Sequence, residues 1–245
     1  MAVAVFFHAH PDDEAILTAG TMARASEAGH RVVLVLATRG ELGEVAEELA
    51  ASPEAVAELR EREVAEAARI LGVHRHEYLG YTDSGMDGEP QNQAPGCFWA
   101  ADTEEAAGRL AAILTEERAD VLVAYDEWGN YGHPDHIKVH HVGVRAAELA
   151  GTPRVYEATT DRGLARELNR LAEESGAPMP VELDEHGELP LGVPSHLITT
   201  RVDVRPWLER KRAAMAAHAS QIAPDSFFLA LPPALFELTW GTEFF

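Results

Sequence analysis

The stretch that decides the fold is Val3-Ala4-Val5-Phe6-Phe7, followed after His8 by Ala9-His10-Pro11-Asp12-Asp13-Glu14. The first run is short and apolar, as expected for a buried strand. The second run places a histidine and adjacent carboxylates in a tight turn, which Pro11 stiffens, before a helix. Imidazole and carboxylate groups are the ligands of hydrolytic metal ions, and a spare carboxylate beside them can serve as a base. The stretch therefore predicts a strand, a metal-binding turn and a helix.

A second cluster of the same residue types is Tyr131-Gly132-His133-Pro134-Asp135-His136. It follows an apolar run at residues 120–125 that is predicted to be another buried strand. In open parallel sheets, ligands bind at the carboxyl ends of the strands. We therefore expect the two clusters to meet at one edge of a sheet.

Short β-branched runs alternate with helical patterns along the chain, which predicts an α/β fold with a mostly parallel sheet flanked by helices. Residues 80–102 are predicted to be one long loop and residues 178–194 a polar loop or a hairpin. The whole of 1–245 is predicted to be one domain with a C-terminal elaboration. The predicted strands are 2–7, 31–37, 75–79, 120–125, 154–158 and 198–204, and the predicted helices are 15–28, 54–71, 103–118, 136–149, 164–175 and 206–218.

Composition narrows the class of protein. The net charge of −21 disfavours binding to nucleic acid or to anionic lipid. Cys97 is the only cysteine, so an intrachain disulfide cannot form, and a reducing cytoplasm is the expected location. No run reaches the roughly 20 apolar residues that a membrane span requires. The expected partner is a small molecule, and a homo-oligomer is compatible with the sequence.

A hydrolytic metal site needs about three protein ligands and one open position for water. His10 and Asp13 are spaced so that a turn leading into a helix can bring both onto one ion. A third ligand must come from elsewhere, and His136 is the natural candidate. This set suits zinc and equally iron(II).

The remaining polar residues of the two clusters are candidates for catalysis. Because adjacent side chains diverge, Asp12 is expected to face the reacting water and accept its proton. His133 is placed to stabilise a developing oxyanion or to protonate a leaving amine. Asp135 is expected to orient His133 through a carboxylate–imidazole hydrogen bond. His8 is expected to pack in the interior.

The two motifs, intact at residues 9–14 and 133–136, resemble those of the LmbE/PIG-L family of metal-dependent N-deacetylases. The resemblance implies a Rossmann-like fold, with His10, Asp13 and His136 on zinc and Asp12 as the general base. It also implies hydrolysis of an N-acetyl group from an amino sugar, commonly an N-acetylglucosamine with another group at its anomeric carbon.

Further segments extend this resemblance, most closely to the actinobacterial branch that holds the mycothiol-precursor deacetylase and the mycothiol S-conjugate amidase. Arg60 is similar to a substrate-binding arginine, Asp83 to an aspartate that contacts sugar hydroxyls, and Tyr131 to a tyrosine that assists the reacting amide. His218-Ala219-Ser220-Gln221 is similar to a late motif near the active site.

Each of these residues also has a structural interpretation. Arg60 could make an exposed ion pair on its helix with Glu54 or Glu63. Asp83 could be a turn residue, and Tyr131 could pack over the strand ends together with Trp128.

Three other functions remain open at this point. One is an amidase acting on a mycothiol-type conjugate, or a tailoring deacetylase of a glycosylated secondary metabolite. Another is a sugar-binding protein that has lost turnover. The third is a metallophosphatase, which is disfavoured because the sequence offers one mononuclear site. Specificity is expected to lie in the loops at 80–102 and 178–194.

Overall fold

The computed structural model describes residues 1–43, 45, 52–175, 183–184, 186 and 188–245 of the 245-residue chain. Within the loop predicted at 178–194, residues 178–182, 185 and 187 lie outside the described residues.

A five-stranded parallel sheet forms the centre of the fold, with strand order 3-2-1-4-5. In the register, Val5 lies opposite Val33 on one side and Leu122 on the other. The inner strands are continuously apolar because helices cover both faces of such a sheet. The α/β prediction is thereby confirmed. The strands are β1 (Val3–His8), β2 (Arg31–Leu36), β3 (Arg75–Tyr78), β4 (Val121–Tyr125) and β5 (Val155–Ala158).

The chain order reverses between β1 and β4, which lie side by side at the centre of the sheet. At such a reversal the connections leave β1 and β4 in opposite directions, so a crevice opens at the carboxyl ends of the two strands. The two motifs follow β1 and β4 directly, which places both of them at this crevice.

The helices begin and end close to the predicted positions where local capping signals are strong. The long third helix starts after Ser52, whose side chain accepts a hydrogen bond of 3.2 Å from the backbone N–H of Ala55. It ends at Gly72, which adopts the left-handed conformation. The helices are α1 (Asp13–Leu17), α2 (Ala19–Glu27), α3 (Pro53–Leu71), α4 (Thr103–Glu117), α5 (Gly129–Gly132), α6 (Pro134–Ala150), α7 (Arg162–Ser175), α8 (Leu208–Ala217), α9 (Phe227–Ala230) and α10 (Pro233–Trp240).

The single helix predicted over 15–28 is wrong, because the structure has two helices, α1 and α2, that meet at Thr18. The carboxylate of Glu243 accepts hydrogen bonds from the backbone N–H groups of Gly20 (2.8 Å) and Thr21 (2.7 Å), in the first turn of α2. A residue more than 200 positions away therefore caps the second helix, and no local signal shows this.

The C-terminal third adds a small antiparallel sheet of β6 (Arg201–Asp203) and β7 (Thr242–Phe244). The predicted strand at 198–204 is shorter than expected. The predicted helix at 206–218 is a 3₁₀ turn at Arg205–Trp207 followed by α8. The predicted loop at 80–102 is irregular apart from a 3₁₀ turn at Pro90–Gln93. Among the described residues, no helix is both long and apolar enough to cross a membrane.

Candidate active site

The turn after β1 brings the first group of metal-binding side chains together. The backbone N–H of His10 donates to Oδ2 of Asp13 at 2.8 Å, and Nδ1 of His10 lies 3.5 Å from the same oxygen. Both side chains are almost fully buried. Since Pro11 holds the chain between them, the two potential ligands lie next to each other at the crevice.

Asp12 lies in this turn with a backbone conformation that is rare for any residue other than glycine, with φ of 107°. Such a conformation costs about 1–3 kcal/mol and persists only where the surroundings enforce it. The backbone N–H of Asp12 donates to Oε2 of Glu14 at 3.0 Å. The turn is therefore held in part by a hydrogen bond within the motif itself.

The turn after β4 carries the second cluster, and it too contains a non-glycine residue with positive φ, Asn130 (64°). The carboxylate of Asp126 accepts the backbone N–H groups of Trp128 (2.9 Å) and Asn130 (3.0 Å). Gly129 is required here because a Cβ atom would lie 2.5 Å from the backbone nitrogen of Ile137. This tight turn starts α6 so that its first residues face the turn after β1.

The two clusters meet as predicted. Nε2 of His136 lies 3.4 Å from Oδ2 of Asp13, the oxygen that also lies near His10. One ligand atom from each of His10, His133 and His136 lies within 4.8 Å of the other two. Nitrogen and carboxylate donors converging in a buried site are the ligand set of a mononuclear zinc or iron(II) centre. The residues present therefore fit a metal ion.

The charges in the cluster are strongly coupled to one another. Burial opposes ionisation of Asp13, but His136 and His10 outweigh it and hold its pKa well below the ordinary value. Burial likewise opposes protonation of His10, but the carboxylates of Asp83, Asp13 and Asp135 raise its pKa well above the ordinary value. For Asp12, burial prevails over the nearby Arg60 and raises the pKa to about 6. The carboxylates of Asp12 and Asp13 thus differ in proton affinity, as is expected when one of them accepts a proton and the other stays ionised.

His133 lies in the cluster, but the expected role of Asp135 is wrong in this structure. The carboxylate of Asp135 contacts Nε2 of His10 at 3.1 Å and accepts hydrogen bonds from Ser84, instead of bonding to the ring of His133. The backbone N–H of Asp135 is the group that donates to Nδ1 of His133, at 3.1 Å. The reason is that residue 135 lies in the first turn of α6. At that position its side chain faces His10, in the turn that follows β1.

This hydrogen bond sets the proton position on His133. Burial, with His10 and His136 nearby, lowers the pKa of His133 to about 4, so the ring is neutral at pH 7. Because Nδ1 accepts a hydrogen bond, the hydrogen-bond network assigns the ring proton to Nε2. Nε2 is then a hydrogen-bond donor.

Arg60 and Tyr131 are both close to the clusters. Arg60 is only 3% exposed, and its guanidinium donates to the carbonyl oxygens of Gly40 and Pro11 and lies 3.3 Å from Oδ2 of Asp12. The alternative of an exposed ion pair is therefore wrong. The hydroxyl of Tyr131 lies 3.4 Å from Nε2 of His136.

Asp83 also reaches the cluster, whereas Trp128 does not pack as suggested. Oδ1 of Asp83 accepts the backbone N–H of Gly85 at 2.9 Å and lies 3.6 Å from Nε2 of His10, so Asp83 is a turn residue that also faces the cluster. Trp128 is 62% exposed instead of being packed over the strand ends.

A comparison with known protein families now bears on this geometry. The GlcNAc-PI de-N-acetylase (PIG-L) family matches residues 5–147, which include both clusters. The chain belongs to the PIG-L family. The match spans the sheet from β1 to α6, so family membership rests on the part of the chain that builds the crevice.

Curated and solved relatives agree with this assignment. The PIG-L family member described here is 41% identical to a 1D-myo-inositol 2-acetamido-2-deoxy-alpha-D-glucopyranoside deacetylase from Thermomonospora curvata, over 98% of this chain and 88% of the relative. It is similar to the structure of N,N'-diacetylchitobiose deacetylase from Pyrococcus horikoshii, with a TM-score of 0.58 and 26% identity over 96% of this chain and 73% of the other. A deacetylase of the teicoplanin biosynthetic pathway shares the fold, with a TM-score of 0.62, 15% identity and coverage of 100% and 97%.

Several buried residues outside the two motifs hold this PIG-L site in place. Ser84 donates to Asp135 at 2.5 Å from its hydroxyl and at 3.0 Å from its backbone N–H. His8 is packed as expected, between the hydroxyls of Tyr125 (2.7 Å) and Thr18 (2.9 Å), and the ring of Tyr125 stacks on His136. The only sequence signal for Ser84 and His8 is that each lies next to a residue already singled out as a site candidate or motif member. Their partners Asp135 and Tyr125 are distant in sequence, so the contacts could not be predicted from it.

Proposed function

We propose that this PIG-L family member is a metal-dependent N-deacetylase that hydrolyses the acetamide of an N-acetylglucosamine glycoside. The observation that carries the proposal is the position of Asp12. Asp12 lines one cavity together with Asp13 and His136, and its carboxylate lies 3.3 Å from the guanidinium of Arg60. A base next to a metal site is what amide hydrolysis requires.

We propose that His10, Asp13 and His136 hold a zinc ion, with iron(II) as the alternative metal. Bound there, zinc would polarise the amide carbonyl and lower the pKa of a coordinated water from 15.7 to about 7. The chemistry of the three donors supports this assignment, because imidazole nitrogen and carboxylate oxygen suit both metals.

The chain's own residues would carry the proton and charge transfers. Asp12 would accept the proton of the attacking water, while Arg60 keeps its carboxylate in place. His133 would donate from Nε2 to the oxygen that gains negative charge as the amide carbonyl is attacked. As the C–N bond breaks, the proton taken up by Asp12 would pass to the nitrogen, so that the free amine and acetate leave. Tyr131, partly exposed beside His136, would contact the same amide. Asp135 would hold His10 instead of His133.

The sugar would bind on the side of the histidine cluster on which Asp83 lies, with Arg60 nearby. The names of the curated relatives support a glucosaminide of a polyol as the substrate. The described hydrogen bonds of Arg60 go to the carbonyl oxygens of Gly40 and Pro11. A direct contact between Arg60 and the sugar is therefore a prediction. An amidase acting on a mycothiol-type conjugate, and a tailoring deacetylase, are the alternative enzymes.

We also propose that the chain forms a single domain and that the protein is cytoplasmic. Contacts such as that of Glu243 with α2 support one domain over residues 1–245. The single cysteine supports a cytoplasmic location.

The proposal is tested by the release of free amine and acetate from a panel of N-acetylglucosaminides, which includes an inositol glycoside and a cysteine conjugate. Zinc-loaded wild type is compared with Asp12→Asn. Amine release that is lost in the variant supports the mechanism. Glycoside binding without release by wild type would indicate a binding protein, and phosphate release from a simple monoester would indicate a phosphatase.

A further inference from the structure

A cavity of about 430 Å³ opens directly beside the proposed catalytic residues. Asp12, Asp13 and His136 form one end of it, and its walls come from α1, α7 and the segment that contains α9, α10 and β7. This volume is in the range of about 300–1,000 Å³ that is typical of small-molecule sites. The cavity therefore continues the active site toward the C-terminal third of the chain.

The walls of this cavity are mainly apolar. Helix α7 contributes one face of its surface, with Leu164 and Leu168 one turn apart. The C-terminal segment contributes aromatic rings, among which Phe228 stacks on Trp240. The principal apolar residues are Ile16, Leu17, Leu164, Leu168, Phe228 and Trp240.

Some of the polar side chains in the wall already have partners. Nζ of Lys211 lies 2.6 Å from Oε1 of Glu243, and both side chains are buried. The hydroxyl of Thr159 donates to Asp126 at 2.5 Å. The wall also carries uncharged polar side chains, such as those of Asn130, Thr160 and Thr242, but most of its surface is apolar. An apolar group would be stabilised there.

Polar groups suited to a sugar also lie outside the cavity. The backbone N–H of Asp83 donates to Glu41 at 3.1 Å, and the carboxylate of Asp83 faces His10. Neither Asp83 nor Glu41 is among the described residues that line the cavity. The two sides of a scissile amide, the sugar amine and the acyl group, would thus face chemically different walls.

We propose that this cavity binds the acyl group of the substrate, and that the enzyme accepts, besides the acetamide, amino-sugar amides whose acyl group is longer than acetyl. The inference rests on the proposed function. An acetyl group extends only one methyl beyond the carbonyl, so it would leave most of the cavity unused. A linear chain of about six carbons would add contacts with apolar lining residues such as Leu17 and Leu168.

The test compares N-acetyl-, N-butyryl- and N-hexanoyl-glucosaminides that have the same aglycone. We expect kcat/KM to rise about threefold per added methylene, near the limit set by about 0.8 kcal/mol for each buried methylene. A second readout is binding to the metal-free protein by calorimetry, in which the hexanoyl compound should bind more tightly than the acetyl compound.

The variant Leu168→Trp narrows the cavity on its α7 wall, and we expect it to reduce the hexanoyl-to-acetyl ratio at least tenfold. The matched control Leu149→Trp changes a leucine on α6 that is 48% exposed, and the ratio should stay as in wild type. Circular dichroism and metal content show whether each variant is folded.

Two results would overturn the inference while leaving the proposed function intact. One is a kcat/KM that falls from acetyl to hexanoyl. The other is a kcat/KM that does not change with the length of the acyl group but rises when the aglycone of an N-acetyl compound is lengthened. That result would assign the cavity to the aglycone. If no member of any series releases amine from metal-loaded enzyme, the proposed function itself fails.

Discussion

The carboxylate of Glu14 lies 2.6 Å from Nε2 of His218, although 204 positions separate the two residues. Both side chains are completely buried. The other carboxylate oxygen of Glu14 accepts the backbone N–H of Asp12 at 3.0 Å. A histidine from the C-terminal third therefore stabilises the turn in which Asp12 holds its unusual backbone conformation.

The first prediction concerns His218→Ala. This change leaves Oε1 of the buried Glu14 without its partner, and removing one member of a buried pair costs about 3–5 kcal/mol. We expect a loss of that size in the free energy of unfolding, measured with urea, and a lower kcat in the part of the protein that stays folded.

The exposed His141 provides the control, because His141→Ala should change neither quantity. His218→Gln, which keeps a hydrogen-bond donor, should recover part of the loss. Equal stability of His218→Ala and wild type would show that Glu14 does not depend on His218.

The second prediction separates the base from the ligands. Asp12→Asn keeps the size of the side chain but removes the proton acceptor, so kcat should fall by about 10²–10⁴-fold while the zinc content stays near that of wild type. Asp13→Asn should instead lose zinc, since Oδ2 of Asp13 lies between His10 and His136. Elemental analysis of the purified variants distinguishes the two effects. Loss of zinc from Asp12→Asn would place Asp12 among the ligands.

The third prediction concerns metal removal. A ligand at about 100 times its Kd stabilises the folded state by about 2.7 kcal/mol, which in a chain of this size raises Tm by roughly 5–11 °C. We expect a shift of that order when zinc is added to chelator-treated protein. His136→Ala should abolish the shift. His140→Ala, on the same helix but outside the cluster, should retain it. A full shift in His136→Ala would remove that residue from the proposed site.

The fourth prediction concerns Glu117, far from the crevice. Its carboxylate accepts hydrogen bonds from Arg31 at 2.6 and 3.0 Å and from Arg75 at 2.9 Å. Mainly because of Arg31, the pKa of Glu117 falls from its ordinary 4.5 to about 2. Since the folded-state pKa is depressed, this stabilisation is present above pH 4.5 and is lost as the pH falls toward 2.

Glu117→Gln should therefore destabilise the protein by about 1–3 kcal/mol at pH 7. The difference from wild type should shrink between pH 4.5 and 2, as measured by urea unfolding of metal-free protein. Glu116→Gln is the control, because Glu116 is 65% exposed and its ion pair with Arg75 should contribute little. A difference that does not vary with pH would contradict the assignment.

Local sequence signals were sufficient for much of the fold. The apolar strands, the Ser52 cap and the Gly72 stop of α3 depend on neighbours in sequence, so their positions could be predicted. The meeting of the two clusters could also be predicted, because both follow strands of a parallel sheet. The break at Thr18 could not, since its cap comes from Glu243.

The sequence by itself determined the family and the α/β fold, because motifs and strand patterns are local. The assignment of His10, Asp13 and His136 as metal ligands stays a prediction. Only the tertiary structure decided that Asp135 faces His10, that Arg60 is buried against Asp12 and that His218 holds Glu14. These contacts depend on how α3, α6 and α8 pack around the sheet. That packing sets the direction of a buried side chain, so the direction cannot be predicted from residue type and spacing alone.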